Sequence, residues 1–301
     1  MISASYSPSA NWYLNNPDLD AFNQGGAFSM VVSGSRTVIS MYASYSQQSG
    51  VDRLAGGFLS GSALSVGLQG SYQLAPRTNI YANFTPTIVD YEEGNFTGFS
   101  DFAMSFGGFW AATERLSFGP NLGYTTSSSD NTGDFDSWSL SGNVNYQASM
   151  RIQLAASLGL QYSRYSQNSS SNGTNVIGSL NAIYQINERW QWANSVQSGI
   201  IPSPSQANYV INNWSISSML NRSLLIGSVG MGVDLEFSSY EAVGPTAVSQ
   251  GDEQNLGFIV SYSRPIYSDR VGFNSSLRYN LNNGEEDWSQ LLVNVGLSLS
   301  F

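Results

Sequence analysis

The chain has 301 residues, 11% of them charged, a net charge of -10, and neither His nor Cys. Disulfides, thiolate metal sites and a histidine general base are therefore excluded, and the negative balance argues against nucleic acid as a partner. No apolar run approaches the roughly 20 residues a membrane helix needs, so a lipid-facing chain of this composition must show lipid at every second residue; the soluble alternative is an all-β secreted domain.

The chain opens at Met1 without a basic-then-apolar leader, so an exported protein would be read here as a mature form carrying an initiator Met. Residues 1–35 read as an irregular N-terminal segment. Pro8, Asn15, Asn16, Pro17, Asp18 and Asp20 are turn and breaker residues. Within the segment, Ala27–Val32 is a short apolar run that could extend the first strand, lie in a lumen or link to a further domain.

From Arg36 onward the chain repeats. Arg36, Arg77, Arg115, Arg151, Arg189, Arg222 and Arg270 each precede an alternating segment, at intervals of 33 to 48 residues. That spacing suits a strand–loop–strand–turn unit. Seven units predict fourteen strands, with twelve or sixteen as the alternatives. The alternation itself is period two. In residues 152–162, Ile152, Leu154, Ala156, Leu158, Leu160 and Tyr162 face one way, and Gln153, Ala155, Ser157, Gly159 and Gln161 the other. Residues 64–74, 102–110, 116–124, 138–146, 225–237 and 271–281 read alike. A slip of one residue would turn every polar side chain into lipid, so register is strongly specified.

The polar face is Ser, Gly, Asn and Gln with almost no charge, which suits a wet lumen better than the outside of a sandwich. Tyr72, Trp110, Tyr146, Tyr184, Trp190, Trp192 and Tyr262 bunch beside the short Arg turns, at the level of an interfacial aromatic girdle. Long connections alternate with these turns and carry fourteen acids, opposed only by Arg53 and Arg164. The expectation is an all-β, antiparallel, up-and-down transmembrane barrel over residues 36–301.

The last segment, residues 291–301, alternates Leu291, Val293, Val295, Leu297, Leu299 and Phe301 against polar partners and stops on an aromatic carboxylate. It resembles the C-terminal assembly signal of bacterial outer-membrane β-barrels. The resemblance implies a Gram-negative outer membrane, lipid and lipopolysaccharide as surroundings, and the barrel-assembly machinery as a partner. The closing strand is expected to pair with the first, near residues 37–47, because an open edge cannot persist in lipid.

Enzymatic outer-membrane barrels work through a histidine, and this chain has none, so no catalytic residue is expected and no cofactor. Asp234 and Glu236 point to one side of a strand, where Arg278 two strands away can hold them. Asp130, Asp134 and Asp136 occupy positions 1, 5 and 7 of a polar stretch without the order of an EF-hand, a poor metal site at best. The lumen is the best functional candidate. Its lining is expected from Gln69, Asn83, Asn121, Asn143, Asn145, Gln153, Gln161, Asn181, Gln197, Asn213, Asp234, Glu236, Asn274 and Arg278. Eight strands enclose only side chains and sixteen to eighteen leave a channel, so fourteen predicts a narrow pore. In strand number the plan resembles monomeric porins, without their opposed charged rows. Three functions compete: a diffusion pore for small polar solutes, an export portal of a larger envelope assembly with further protein partners, and a plugged, structural barrel presenting acidic loops.

Overall fold

The computed structural model describes residues 1–12, 21–52, 57–91, 98–129, 133–166, 172–202, 209–242, 252–267, 271–284 and 288–300. They form sixteen strands. In chain order these are β1 (Ile2–Trp12), β2 (Ala21–Ser33), β3 (Thr37–Asp52), β4 (Gly57–Ala75), β5 (Thr78–Tyr91), β6 (Phe99–Ala111), β7 (Leu116–Ser129) and β8 (Gly133–Gln147). There follow β9 (Ile152–Tyr165), β10 (Gly173–Gln185), β11 (Trp190–Pro202), β12 (Tyr209–Ser223), β13 (Ser228–Ala242), β14 (Glu253–Tyr267), β15 (Val271–Asn283) and β16 (Trp288–Ser300).

Every strand pairs antiparallel with its sequence neighbours, and β16 pairs with β1 to close the barrel. Sixteen strands at about 4.8 Å spacing and about 40° tilt give a backbone diameter of roughly 30 Å. The count is the sixteen-strand alternative rather than fourteen, and the extra pair comes from the N-terminal segment. The described residues of this segment are not irregular: Ile2–Trp12 and Ala21–Ser33 form β1 and β2, and Ala27–Val32 lies inside β2. The closing strand consequently meets β1, with Ala10 opposite Val295 and Tyr6 opposite Leu299, while residues 37–47 belong to β3 and pair with β2 and β4.

Proline misled the reading of β1. Pro8 keeps its partner Gln24 on β2, while the pairing with β16 skips Ser7 and Pro8. Pro86 and Pro120 behave alike. Each is paired on one side, with Phe102 and with Gly142, and falls in a gap of the ladder on the other. A ring that cannot donate is thus accommodated by local loss of one ladder, not of the strand.

Burial is inverted relative to a water-soluble domain. Leu64, Leu68, Phe84, Phe106, Leu140, Leu158, Leu160 and Val176 are exposed, all on one parity of their strands. The buried polar side chains Asn23, Ser127, Ser137, Ser163, Ser238, Asn255, Asn280 and Asn282 all lie on the other parity. The apolar face is therefore the outside, and its solvent must be hydrocarbon. Tyr72, Trp110, Tyr146, Tyr184, Trp190, Trp192 and Tyr262 point outward at the end carrying the short turns, where the Arg222 guanidinium lies over the Trp190 ring at 5.1 Å. A second outward row lies nearer the other end: Tyr124, Trp138 and Tyr162, with ring centroids 5.5 and 6.1 Å apart. From Trp138 to Tyr146 along β8 is roughly 20 Å of height after tilt, close to the apolar band of a membrane barrel.

Three of the short turns share one device. Thr113 Oγ1 accepts from the backbone N–H of Arg115 and Leu116 at 3.2 and 3.0 Å. Ser149 Oγ does so for Arg151 and Ile152 at 3.2 and 3.1 Å, and Asn187 Oδ1 for Arg189 and Trp190 at 2.9 and 3.0 Å. A short polar side chain thus takes both donors at the turn. Asn187→Ala is expected to cost about 1 kcal/mol, measured as a lower urea midpoint for loss of heat-modifiable gel migration, while Glu188→Ala in the same turn leaves the midpoint unchanged. The β12–β13 turn instead uses Gly227 at φ +94, a conformation that favours glycine.

Candidate functional site

The register fixes which side chains enter the lumen, because a strand alternates and neighbours in the ladder share a face. On one wall, Gln69 of β4 sits opposite Asn83 of β5, and Asn121 of β7 opposite Ser141 of β8. Asn143 and Asn145 of β8 lie opposite Gly119 and Ser117, and Gln153 and Gln161 of β9 opposite Gln147 and Ser139. Asn181 of β10 faces Ala155 and Ser195, and Gln197 of β11 faces Ser179 and Ser215. The other wall carries Asn213 of β12, Asp234 and Glu236 of β13, and Asn274 and Arg278 of β15. All share the lumenal parity.

Small hydroxyls fill much of the remaining lumenal surface and pair across strands: Ser3 with Ser29, Ser65 with Thr87, Ser157 with Ser179, and Ser195 with Ser217, at 2.7 to 2.8 Å. Longer side chains lie flat over a glycine of the intervening strand. The Tyr42 ring covers Gly67 and its hydroxyl reaches Thr85 Oγ1 at 3.1 Å; Tyr81 covers Gly107 and donates to Asn121 Oδ1 at 3.1 Å. Over Gly257 it is the Asp234 carboxylate that lies, with Arg278 Nη2 2.7 Å from its Oδ2. Glu236 is held differently, accepting from Asn213 Nδ2 at 2.8 Å. Arg278 therefore engages one carboxylate of the two, with its Nε donating to Asn280 Oδ1 at 2.8 Å.

The lumen is uneven along its axis. Phe135, Ile211, Tyr240 and all eight buried polar side chains lie in the half near the long connections. In the half near the short turns, Asn145, Gln147, Gln153 and Asn181 are exposed. Two adjoining cavities occupy that open half, of about 660 and 320 Å³, sharing Phe109, Asn145, Ala155 and Asn181. The stacked pair Tyr81–Phe109, 5.7 Å between centroids, is absent from the expected lining, because an aromatic in a strand fits a girdle as well as a lumen.

Among the other expected residues, Arg36, Arg77, Arg115, Arg151 and Arg189 lie in the short turns. Arg222 belongs to β12 itself, opposite Trp190 and Val229. Arg270, Asp130 and Phe301 lie outside the described residues. Leu297 points outward and is exposed, and Leu299 pairs with Tyr6 and Val271. Asp134 and Asp136 are strand residues of β8 on its outer face, not loop residues. Asp134 Oδ1 accepts from Ser128 Oγ at 2.7 Å and Asp136 Oδ1 from the Tyr124 hydroxyl at 2.8 Å. Among the described residues no three potential metal ligands cluster.

The chain matches no protein-family model and no curated protein. Solved structures do match over its whole length. CdiB from Acinetobacter baumannii aligns over 100% of the chain with a TM-score of 0.63 at 9% identity, and the chain spans 60% of CdiB. OccAB4 from Acinetobacter baumannii aligns with 0.51 at 8% identity over 98% of its length, and OccD3 (OpdP) from Pseudomonas aeruginosa with 0.52 at 9% identity over 90%. At these identities the likeness is one of fold, and the fold is the outer-membrane β-barrel.

Proposed function

We propose that this barrel sits in a Gram-negative outer membrane and forms a pore through which small, polar, uncharged solutes diffuse. The observation that supports it is the sixteen-stranded closure around a face of amides and hydroxyls. Sixteen strands reach the size at which barrels enclose water. An amide-rich wall exchanges hydrogen bonds with hydroxylated solutes at little cost, because each bond to water is replaced by one to Asn or Gln. The short turns would face the periplasm, the acidic long connections the exterior, with lipopolysaccharide around the outer rim and the barrel-assembly machinery inserting the chain. No residue is assigned a catalytic role.

Steady single-channel conductance of the purified, heat-modifiable protein in planar bilayers, with swelling of liposomes in neutral sugars, is the expected result. A folded barrel that conducts no ions and admits no sugar overturns the reading. Removing the lumenal cation in Arg278→Ala leaves Asp234 unpaired and is expected to move the reversal potential toward cation preference, while Asn274→Ala leaves it unchanged.

One observation favours a second reading, that of a portal working with another envelope protein. The β12–β13 turn exposes Leu224, Leu225 and Ile226, with Leu225 at 96% exposure. Co-purification of a partner from native membranes that is lost in Leu225→Ser would support the portal.

A further inference from the structure

We infer that the open half of the lumen contains a saccharide-binding subsite built on Tyr81 and Phe109. The inference rests on the pore reading for its purpose and on its own geometry for its chemistry.

Tyr81 of β5 and Phe109 of β6 are lumenal and stacked, with an interplanar angle of 26° and centroids 5.7 Å apart. Both line the cavity of about 320 Å³, a size within the range of small-molecule sites. Beside the rings the floor is low. Ala155, Ser157 and Ser179 are the small lumenal residues of the neighbouring strands that line it.

Amides stand around this trough. Asn121 is fixed, since its Oδ1 accepts the Tyr81 hydroxyl at 3.1 Å, which leaves its NH₂ as a donor. Asn83 donates to Ser105 Oγ at 3.0 Å and keeps its carbonyl as an acceptor. Asn143, Asn145 and Asn181 form no hydrogen bond to another described residue; Asn145 and Asn181 face each other across Ala155, two ladder spacings or roughly 10 Å apart. Each free amide offers two donors and an acceptor.

An apolar aromatic platform edged by unengaged amides, with no charged side chain in the lining, matches the two faces of a neutral pyranose. Its C–H face lies on the rings and its hydroxyls exchange bonds with the amides. An anionic or cationic solute would find no counter-charge there, and an acyclic polyol would lack the flat face.

The test uses the intact protein in detergent and in bilayers, with maltotriose, xylotriose and the acyclic polyol sorbitol as probes. Calorimetry is expected to show binding of at least one trisaccharide and none of sorbitol at equal concentration. Phe109→Leu, which keeps an apolar strand residue, and the double variant Asn145→Ala/Asn181→Ala are each expected to weaken binding about tenfold or more and to shorten sugar-induced current blocks in proportion. Glu188→Ala, in the β10–β11 turn and outside the lumenal wall, should change neither. Sugar heats that survive both variants, or the absence of heat for both trisaccharides from a folded, conducting barrel, overturn the subsite. A barrel that binds sugar through these residues but never conducts overturns the pore and leaves the subsite standing.

Discussion

Leu180→Arg is expected to prevent stable insertion, whereas Asn181→Arg, one residue along the same strand, is expected to leave a folded barrel. Leu180 is outward-facing and 48% exposed near mid-strand of β10, and Asn181 faces the lumen. An arginine on the lipid face costs about 2–4 kcal/mol near the midplane, a large share of the stability of a single domain. The same guanidinium in the lumen remains hydrated and has no protein hydrogen bond to break. Urea titration of heat-modifiable migration reads both variants. Equal loss, or greater loss for Asn181→Arg, would reverse the assignment of inside and outside.

The second large effect concerns two glycines of β4. A Cβ at Gly67 collides with the ring of Tyr42, which lies over it on the way to Thr85, while Gly70 has nothing within 4 Å. Gly67→Leu must push Tyr42 off its seat and break the hydroxyl bond, an overpacking penalty of about 1–3 kcal/mol. Gly70→Leu adds an apolar side chain to the lipid-facing side, where Leu68 and Tyr72 flank it, and is expected to be neutral or stabilising. Unfolding midpoints of the two variants, compared with the parent, check the pair. A neutral Gly67→Leu would mean that Tyr42 does not rest on β4.

Much of the barrel is legible in the chain because lipid on one side and water on the other impose a strict period of two. The residues that alternate in 152–162 are those that alternate in β9, and Tyr146, Trp192 and Tyr262 stand at the outer turn-end rim. The N-terminal pair was not legible for a local reason. Pro8, and the cluster from Asn15 to Asp20 between β1 and β2, weigh as breakers. Pairing that tolerates a proline on one side is a property of the closed sheet, not of the residue.

In the lumen, identity was readable and combination was not. Asn121, Asn143, Asn145 and Asn181 show their polarity in the sequence. Only the register reveals that Asn145 and Asn181 flank the small Ala155, and that Tyr81 stacks on Phe109 beside them. Tyr81 and Phe109 sit at odd positions among polar neighbours, and that parity was the signal to separate them from the girdle. The turn caps Thr113, Ser149 and Asn187 were also visible as a recurrence, two residues before Arg115, Arg151 and Arg189.

The absence of cysteine from the chain makes its central feature, a hydrated lumen behind a lipid-facing wall, directly measurable. Single cysteines placed one at a time along residues 175–184 of β10 would be exposed, in the folded protein in lipid vesicles, to a membrane-impermeant thiol reagent. The barrel predicts reaction at Asn175, Ile177, Ser179, Asn181 and Ile183 and protection at Val176, Gly178, Leu180, Ala182 and Tyr184. Equal reaction at both parities, or reaction confined to the second set, would contradict it.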